Sequence, residues 1–247
     1  MRPLQFVKMQ GLGNDFVVIE GPVALSPAEI AEICDRRFGV GADGVLAVTR
    51  GDPIRMDYWN ADGSAAEMCG NGIRCVARYA YDKGWAPDRN FAIQTTVGMR
   101  GVKVFEDRVE AELGRPRLDG TRSLDGSEFH LVDMGNPHAV TFVDDPETAD
   151  VARIGAALQT EFEDGANIEF AAQRGSGVTM RVWERGVGET LACGTGMAAV
   201  AAAARDRFGL ESQVPVSVPG GQAVIDFRDD VAWIVGPAEY SYRGSPV

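Results

Sequence analysis

Apolar and polar residues alternate over short stretches along most of the chain, which is the pattern of half-buried β-strands. In the first half the pattern predicts strands at residues 4–8, 16–19, 45–49, 54–59 and 91–96, and a hairpin meander at 102–113. In the second half it predicts strands at residues 129–133, 139–143, 167–171, 177–183, 214–218, 223–227 and 231–235.

Helical signals interrupt these strands at four places. Ser26-Pro27-Ala28-Glu29 combines a serine N-cap, a proline at N1 and a glutamate at N3, which predicts a helix from there to about Arg37. A second helix is predicted near residues 149–158. The other two, at residues 73–83 and 197–208, each follow a cysteine in a glycine-rich turn.

The two halves of the chain repeat one another at a fixed offset. Met68-Cys69-Gly70-Asn71-Gly72 and Ala192-Cys193-Gly194-Thr195-Gly196 are separated by 193 − 69 = 124 positions. The same offset relates Gly41-Ala42-Asp43 to Gly165-Ala166-Asn167. The order of elements is also shared, so we predict an internal duplication with one site between the halves.

This duplication predicts two domains. The first covers residues 1–114 and the second residues 115–236, with a linker at 114–126 that is rich in turn residues. Residues 237–247 have no counterpart at the linker, and we expect them to return to the first domain.

The composition narrows the function classes. The net charge of −12 disfavours nucleic acid as a partner, and no apolar run approaches the length of a membrane span. No signal-peptide core is visible, so a cytoplasmic location is expected. Four cysteines without a C-x-x-C pair, and only two histidines, make a poor zinc set, so no metal is expected.

One glycine-rich motif has two interpretations. Gly39-Val40-Gly41-Ala42-Asp43-Gly44 fits the dinucleotide pattern G-x-G-x-x-G. That fingerprint needs a strand before it and a helix after it, whereas the predicted order here is reversed. A turn between a helix and a strand is therefore favoured.

The repeated cysteine turns carry the candidate chemistry. A helix N-terminus presents unpaired N–H groups and a partial positive charge, which lower the pKa of a cysteine placed there. The neighbouring glycines let the backbone approach an anion such as a carboxylate. Two opposed turns would hold one carboxylate with a thiol on each face of the attached carbon. One thiolate would then remove a proton while the other thiol supplies one.

Other interpretations of the cysteines are weaker. Cys34 and Cys75 are expected to be buried apolar residues. A hydrolase pairing one cysteine with His138 would leave the equivalent cysteine idle. A dithiol redox pair, in which Cys69 and Cys193 oxidise to a disulfide, and a protein without catalytic activity remain as alternatives.

The chain resembles the diaminopimelate epimerase family along essentially its whole length. The motifs that carry the resemblance are Gly11-Leu12-Gly13-Asn14-Asp15-Phe16, Asn60-Ala61-Asp62-Gly63-Ser64, Gly135-Asn136-Pro137-His138, Glu184-Arg185-Gly186 and the two cysteine turns. The resemblance implies an α+β fold of two pseudo-symmetric domains, each a curved mixed β-sheet wrapped around a central α-helix.

The resemblance also implies an activity without pyridoxal phosphate or any other cofactor, namely the interconversion of L,L- and meso-2,6-diaminopimelate in lysine and peptidoglycan-precursor biosynthesis. It assigns Cys69 and Cys193 as the acid–base pair. It implies that Gly70, Asn71, Gly194 and Thr195 donate N–H groups to the reacting carboxylate. The distal amino-acid end would be held by Asn14, Asn60, Asn167 and Arg185, with Asn136 and Glu184 completing the pocket.

Two points qualify this expectation. Many members of the family have a glutamine where this chain has Gly44, so that side-chain contact is missing here. The alternative activity within the superfamily is that of a proline or hydroxyproline racemase, which would have little need for Arg185. The expected partner is the small-molecule substrate, and the oligomeric state stays open, with a homodimer among the options.

Overall fold

The computed structural model describes residues 5–66 and 68–245. Leu4, which opens the first predicted strand, lies outside the described residues. The chain divides into two compact units: the first runs to Ala111 and includes the C-terminal segment from Gly236, and the second is Glu112–Val235. That these units are the predicted domains, 1–114 with 237–247 and 115–236, stays a prediction.

Short strands account for most of the regular secondary structure, as the alternating pattern predicts, and four α-helices lie among them in the described residues. The helices are α1 (Pro27–Cys34), α2 (Gly70–Asp82), α3 (Val151–Leu158) and α4 (Gly194–Phe208). The strands are β1 (Phe6–Gly11), β2 (Asn14–Glu20), β3 (Gly44–Thr49), β4 (Ile54–Asn60), β5 (Asn90–Thr95), β6 (Gly98–Val104), β7 (Val109–Gly114), β8 (Arg117–Leu124), β9 (Ser127–Asp133), β10 (Pro137–Phe142), β11 (Asn167–Arg174), β12 (Gly177–Glu184), β13 (Gly188–Thr190), β14 (Gln213–Val218), β15 (Gly221–Arg228), β16 (Val231–Gly236) and β17 (Glu239–Gly244).

The two units have the same strand order and the same strand directions. The first unit has the order β17-β1-β2-β3-β4-β5-β6-β7, with parallel pairs at β2–β3 and β4–β5 and antiparallel pairs elsewhere. The second has the order β8-β9-β10-β11-β12-β14-β15-β16, with parallel pairs at β10–β11 and β12–β14. This repetition confirms the predicted duplication.

Each unit surrounds the helix that follows its cysteine. Helix α2 contacts β1, β2, β3, β4 and β6, and α4 contacts β9, β10, β11, β12, β14 and β15. Since one helix touches so many strands of one sheet, the sheet must curve around it, which confirms the expected architecture. The buried run of Met197 to Ala204 consists mainly of alanine, and its small side chains let these strands approach α4 closely.

Two local predictions were wrong. Helix α1 ends at Cys34 rather than near Arg37 because the Asp35 carboxylate accepts the N–H groups of Arg37 and Phe38 and turns the chain. The predicted linker at 114–126 contains β8, which pairs with β9. Of the residues in β8 only Leu124 is buried, so its hydrophobic pattern carries no strand signal.

The end of the chain, as far as the described residues extend, pairs with the first strand. Strand β17 pairs antiparallel with β1, from Phe6 opposite Gly244 to Gln10 opposite Glu239. The last strand therefore supplies the edge position that β8 supplies in the second unit. No helix among residues 5–66 and 68–245 is both long enough and apolar enough to span a membrane.

Candidate active site

Both cysteines of the repeated turns are N-cap residues, because α2 and α4 begin at Gly70 and Gly194, three residues before the predicted starts at 73 and 197. Cys69 precedes α2 with extended backbone angles, and its Sγ accepts the backbone N–H of Gly72 at 3.3 Å. Cys193 precedes α4 in the same way, and its Sγ accepts the N–H of Gly196 at 3.4 Å. Each sulfur therefore lies at the end of a helix where N–H groups and the helix dipole favour negative charge.

The glycines at the third helical position clear space for these caps. A Cβ at Gly72 would lie 3.2 Å from Cδ2 of Leu46, and a Cβ at Gly196 would lie 2.9 Å from Oε1 of Glu169. The first turn thus lies against an apolar side chain and the second against a carboxylate. Both units therefore have the same cysteine cap, but the side chains around the cap differ between them.

Asn14 and Asn71 lie at the first cysteine turn. The Cys69 thiol donates to Oδ1 of Asn14 at 3.5 Å, and Nδ2 of Asn71 donates to the same oxygen at 3.2 Å. Asn14 in turn donates from Nδ2 to the Asp43 carboxylate at 2.8 Å. Asp43 therefore holds the amide of Asn14 with its oxygen toward the thiol.

Two cationic side chains form ion pairs with Asp43 and with Asp15, which lies beside it. The Asp15 carboxylate lies 2.6 Å from Nζ of Lys8 and 2.7 Å from Nη2 of Arg36, which also lies 2.7 Å from Asp43. Burial alone would raise the pKa of Asp15, but hydrogen bonds from Arg36 and Lys8 lower it to about 2. Both carboxylates are thus neutralised by cations.

Asn60 is placed differently from the other predicted residues of the first unit. Its backbone N–H donates to the carbonyl of Ser64 at 2.9 Å, and its Nδ2 donates to the Ser64 hydroxyl at 3.1 Å. Its backbone carbonyl accepts the N–H of Gly63. Asn60 therefore closes the turn after β4, and its role in binding stays a prediction.

Gly44 begins β3 in a position with no room for a side chain. A Cβ there would lie 2.5 Å from the carbonyl oxygen of Trp59 and 2.7 Å from the ring of Tyr58. The ring of Tyr58 thus fills the space into which the side chain of residue 44 would extend. The packing of β3 against β4 therefore requires a glycine at position 44, where many members of the family have glutamine.

We expect Gly44→Gln to lower the free energy of unfolding by about 2 kcal/mol, because overpacking a filled site forces neighbouring groups to move. Urea denaturation measures this change. Ala47→Gly on the same strand is the comparison, since it removes a side chain instead of adding one. A Gly44→Gln variant as stable as the wild type would show that the Tyr58 ring moves aside freely.

Asn136 and Thr195 join the second cysteine turn to β10. The Thr195 hydroxyl lies 3.5 Å from Sγ of Cys193 and accepts a hydrogen bond from Nδ2 of Asn136 at 3.5 Å. Oδ1 of Asn136 lies 3.1 Å from Nε2 of His138. The side chains of Asn136, Thr195 and Cys193 therefore form one chain of contacts.

Carboxylates surround Cys193, and they change one expectation from the sequence. Burial raises the pKa of Glu184 above its ordinary value, although the Thr190 hydroxyl donates to its carboxylate. Burial, together with the charges of Glu184 and Glu169, raises the pKa of the Cys193 thiol well above its usual range. The expected lowering at a helix N-terminus was wrong for Cys193, because desolvation and these carboxylates outweigh the helix dipole.

His138 and Glu169 form a buried pair beneath the second turn. Nδ1 of His138 lies 2.6 Å from Oε1 of Glu169, and both side chains are fully inaccessible to solvent. Oε2 of Glu169 has no hydrogen-bond partner. Because alternate residues of a strand share a face, the signal for Glu169 was its position two residues after Asn167 on β11.

We expect His138→Ala to lower the free energy of unfolding by about 3 kcal/mol, because it leaves the Glu169 carboxylate buried without its partner. Urea denaturation measures this loss. Adding Glu169→Gln removes the buried charge and should recover part of the lost stability. If the double variant is no more stable than His138→Ala, the uncompensated charge is not the cause.

Asn167 positions the segment that carries Arg185. Oδ1 of Asn167 accepts the backbone N–H of Arg185 at 2.9 Å, and its Nδ2 donates to the carbonyl of Pro137 at 3.1 Å. The exposed guanidinium of Arg185 donates to the carbonyl of Asp164 at 3.0 Å. Among the described residues Arg185 has no carboxylate partner, so its charge is available to an anionic ligand.

The other two cysteines are buried, as predicted. Burial raises the pKa of Cys34 to about 11 and that of Cys75 to about 12. Both are therefore protonated at neutral pH, and neither caps a helix. The sequence assigned no site role to Asp43, which precedes β3 and binds Asn14, or to Glu169 on β11, which binds His138.

Solved structures show the class of fold to which these units belong. A phenazine biosynthesis protein of the PhzF family from Enterococcus faecalis has a TM-score of 0.80, covering 99% of both chains at 14% identity. A hydroxyproline epimerase from Agrobacterium vitis has a TM-score of 0.76, covering 99% of this chain and 92% of that one at 14% identity. The chain therefore has the duplicated α+β fold of these proteins.

Sequence comparison identifies the family within that fold class. Residues 6–118 and 130–242 match the diaminopimelate epimerase family, and the chain belongs to it. Proteins named diaminopimelate epimerase from Desulfitobacterium hafniense and Alkalilimnicola ehrlichii are each 40% identical, covering 98% of this chain and at least 97% of their own. One from Corynebacterium glutamicum is 38% identical over 95% of both chains. The resemblance drawn from the motifs is thus confirmed.

Proposed function

We propose that the protein is an isomerase that interconverts L,L- and meso-2,6-diaminopimelate by a two-base thiol mechanism without a cofactor. The observation that carries this proposal is the repeated cap: in each unit a cysteine sulfur accepts an N–H at the start of the buried central helix. Family membership supports the substrate. The reaction would serve lysine and peptidoglycan-precursor biosynthesis in the cytoplasm.

The reacting carboxylate would bind to backbone N–H groups of the two turns. Gly70 and Asn71 open α2, and Gly194 and Thr195 open α4, so their N–H groups lie in the first turn at the positive end of each helix. Negative charge grows on this carboxylate when the proton leaves the adjacent carbon. Fixed N–H dipoles stabilise that charge without having to reorient.

The proton is moved by the two thiols. The thiolate of one cysteine takes the proton from the carbon and becomes a thiol. The thiol of the other gives its proton to the opposite face of that carbon and becomes a thiolate. The configuration inverts, no electron leaves the substrate, and the two cysteines exchange protonation states. The raised pKa of Cys193 suits it to donate a proton at neutral pH.

The other predicted site residues would bind the distal amino-acid group of the substrate. The guanidinium of Arg185 would bind the second carboxylate in a bidentate manner, since no carboxylate of the described residues occupies it. Asn14, Asn60 and Asn167 would bind the distal amino-acid group without adding charge, and Asn136 and Glu184 would complete the pocket. A homodimer stays a prediction.

Product analysis with the purified protein tests the proposal. Incubation with L,L-diaminopimelate should yield the meso isomer at equilibrium without added cofactor, as separated by chiral chromatography. L-Proline and trans-4-hydroxy-L-proline serve as comparison substrates and should remain unchanged. Epimerisation of either of these, with no conversion of diaminopimelate, would overturn the proposal in favour of a racemase of the same fold.

A further inference from the structure

Arg74 is a fully buried arginine on α2, one turn after the start of that helix. Because helical side chains point toward the N-terminus, its guanidinium returns to the cysteine turn. Nη1 donates to the carbonyl of Gly70 at 3.0 Å, Nη2 to Oδ1 of Asn71 at 3.0 Å, and Nε to the carbonyl of Pro237 at 3.1 Å. Three fixed contacts thus hold the cation beneath the turn.

All three acceptors of Arg74 are neutral oxygens, and no carboxylate of the described residues pairs with it. Burial lowers the pKa of Arg74 to about 10, so the side chain still carries its charge at neutral pH. A buried charge without a counterion is costly. An anion close to this guanidinium would lower that cost.

Among the described residues around the turn, one candidate for that anion remains. Cys75 follows Arg74 on α2, but burial raises its pKa to about 12 and keeps it neutral. Asp43, beyond Asn14, is paired with Arg36 at 2.7 Å. The thiol of Cys69 remains, and its negative charge, when it is ionised, would favour the charged form of Arg74.

Two contacts couple the guanidinium to this thiol. Gly70 and Asn71 share a peptide unit, so donation to the Gly70 carbonyl strengthens the N–H dipole of Asn71 at the mouth of the turn. The Asn71 amide, held by Arg74, donates to Oδ1 of Asn14. That oxygen accepts from the Cys69 thiol and favours its neutral form, so this second contact positions the side chains and the charge of Arg74 acts against it. A Cβ at Gly11 would lie 3.0 Å from Nη2 of Arg74, which explains a glycine of the early motif.

We propose that Arg74 is a positioning residue whose buried positive charge stabilises the thiolate form of Cys69. The second unit has no equivalent, because the offset of 124 places Ala198 at this position of α4. The first thiol thus has a cation beneath it, and the second lies among carboxylates. This role rests on the proposed function, but its test reads thiol reactivity and requires no substrate.

The test is the rate at which iodoacetamide alkylates Cys69 across a range of pH, followed by mass spectrometry of the Cys69 peptide. Arg74→Met removes the charge and keeps most of the volume. We expect about tenfold slower alkylation of Cys69 at pH 7 and a higher pH midpoint, since a positive charge held at the Cys69 turn is lost. Arg74→Lys should restore most of the rate.

Arg78→Met is the matched control on the same helix. Arg78 lies one turn further along and donates to backbone carbonyls of Phe105, Glu106 and Arg108. Its replacement should leave the Cys69 profile unchanged. Wild-type kinetics for Cys69 in Arg74→Met would overturn the proposal, and so would a Lys variant as slow as the Met variant, since that result indicates packing rather than charge.

Arg74→Gln is the second variant if Arg74→Met does not fold, since it removes the charge and keeps a side-chain N–H donor. A pH midpoint for Cys69 alkylation higher than that of the wild type supports the proposal, and an unchanged midpoint overturns it. Failure of the proposed function is a separate outcome. It would appear as absence of the meso product while the alkylation profile of Cys69 still shifts with Arg74.

Discussion

Replacing Cys193 by alanine should reduce the interconversion of L,L- and meso-diaminopimelate by about a thousandfold or more, because a positioned acid or base is removed from the reacting carbon. Alanine has no group to exchange a proton and none to accept the N–H of Gly196. Cys69→Ala should have the same effect for the corresponding reason. Initial rates with each isomer as substrate measure both losses.

Cys34→Ala and Cys75→Ala are the matched controls. Both residues are buried cysteines that cap no helix, and the proposed mechanism gives them no part. Each variant should retain most of the wild-type rate, with some loss of stability from the small cavity. Full activity in Cys193→Ala would contradict the assignment of two bases.

Arg185→Ala should lower kcat/KM for diaminopimelate by about a hundredfold, because a bidentate contact that orients the substrate is lost. Stability should change little, since the guanidinium is exposed and donates to one carbonyl, that of Asp164. Steady-state kinetics and urea denaturation separate the two effects.

Arg174→Ala is the control for Arg185→Ala. Arg174 is an exposed arginine on β11 that lies 3.8 Å from the Asp145 carboxylate, and it has no predicted role in binding. Its replacement should leave kcat/KM unchanged. An Arg185→Ala variant with wild-type kcat/KM would favour a substrate without a second carboxylate.

The parts of the fold that depend on local pattern were predictable from the sequence. Alternation of apolar and polar residues along 167–171 or 223–227 predicts strands that bury one face. The motifs repeated at an offset of 124 residues predict the internal duplication without any knowledge of strand pairing. The presence of a helix after each cysteine turn was also predicted, although α2 and α4 begin three residues earlier than expected. These signals depend on neighbours in sequence.

The parts that depend on distant residues were not predictable. Strand β8 is almost entirely exposed, so only its hydrogen bonds with β9 define it. Glu169 is on β11 and lies beside Gly196 of α4. The pKa of Cys193 is raised by burial and by the charges of Glu184 and Glu169. Arg74 contacts Pro237, which is 163 residues away. No local pattern reports such contacts.

The central claim is that two thiols act on opposite faces of one carbon, and deuterium incorporation tests it most directly. L,L-Diaminopimelate is incubated with the protein in D₂O, and both isomers are analysed by mass spectrometry early in the reaction. A two-base mechanism predicts that the meso product carries one deuterium at the inverted carbon while the remaining L,L isomer carries almost none. Meso product without deuterium, or equal early labelling of both isomers, would contradict the account.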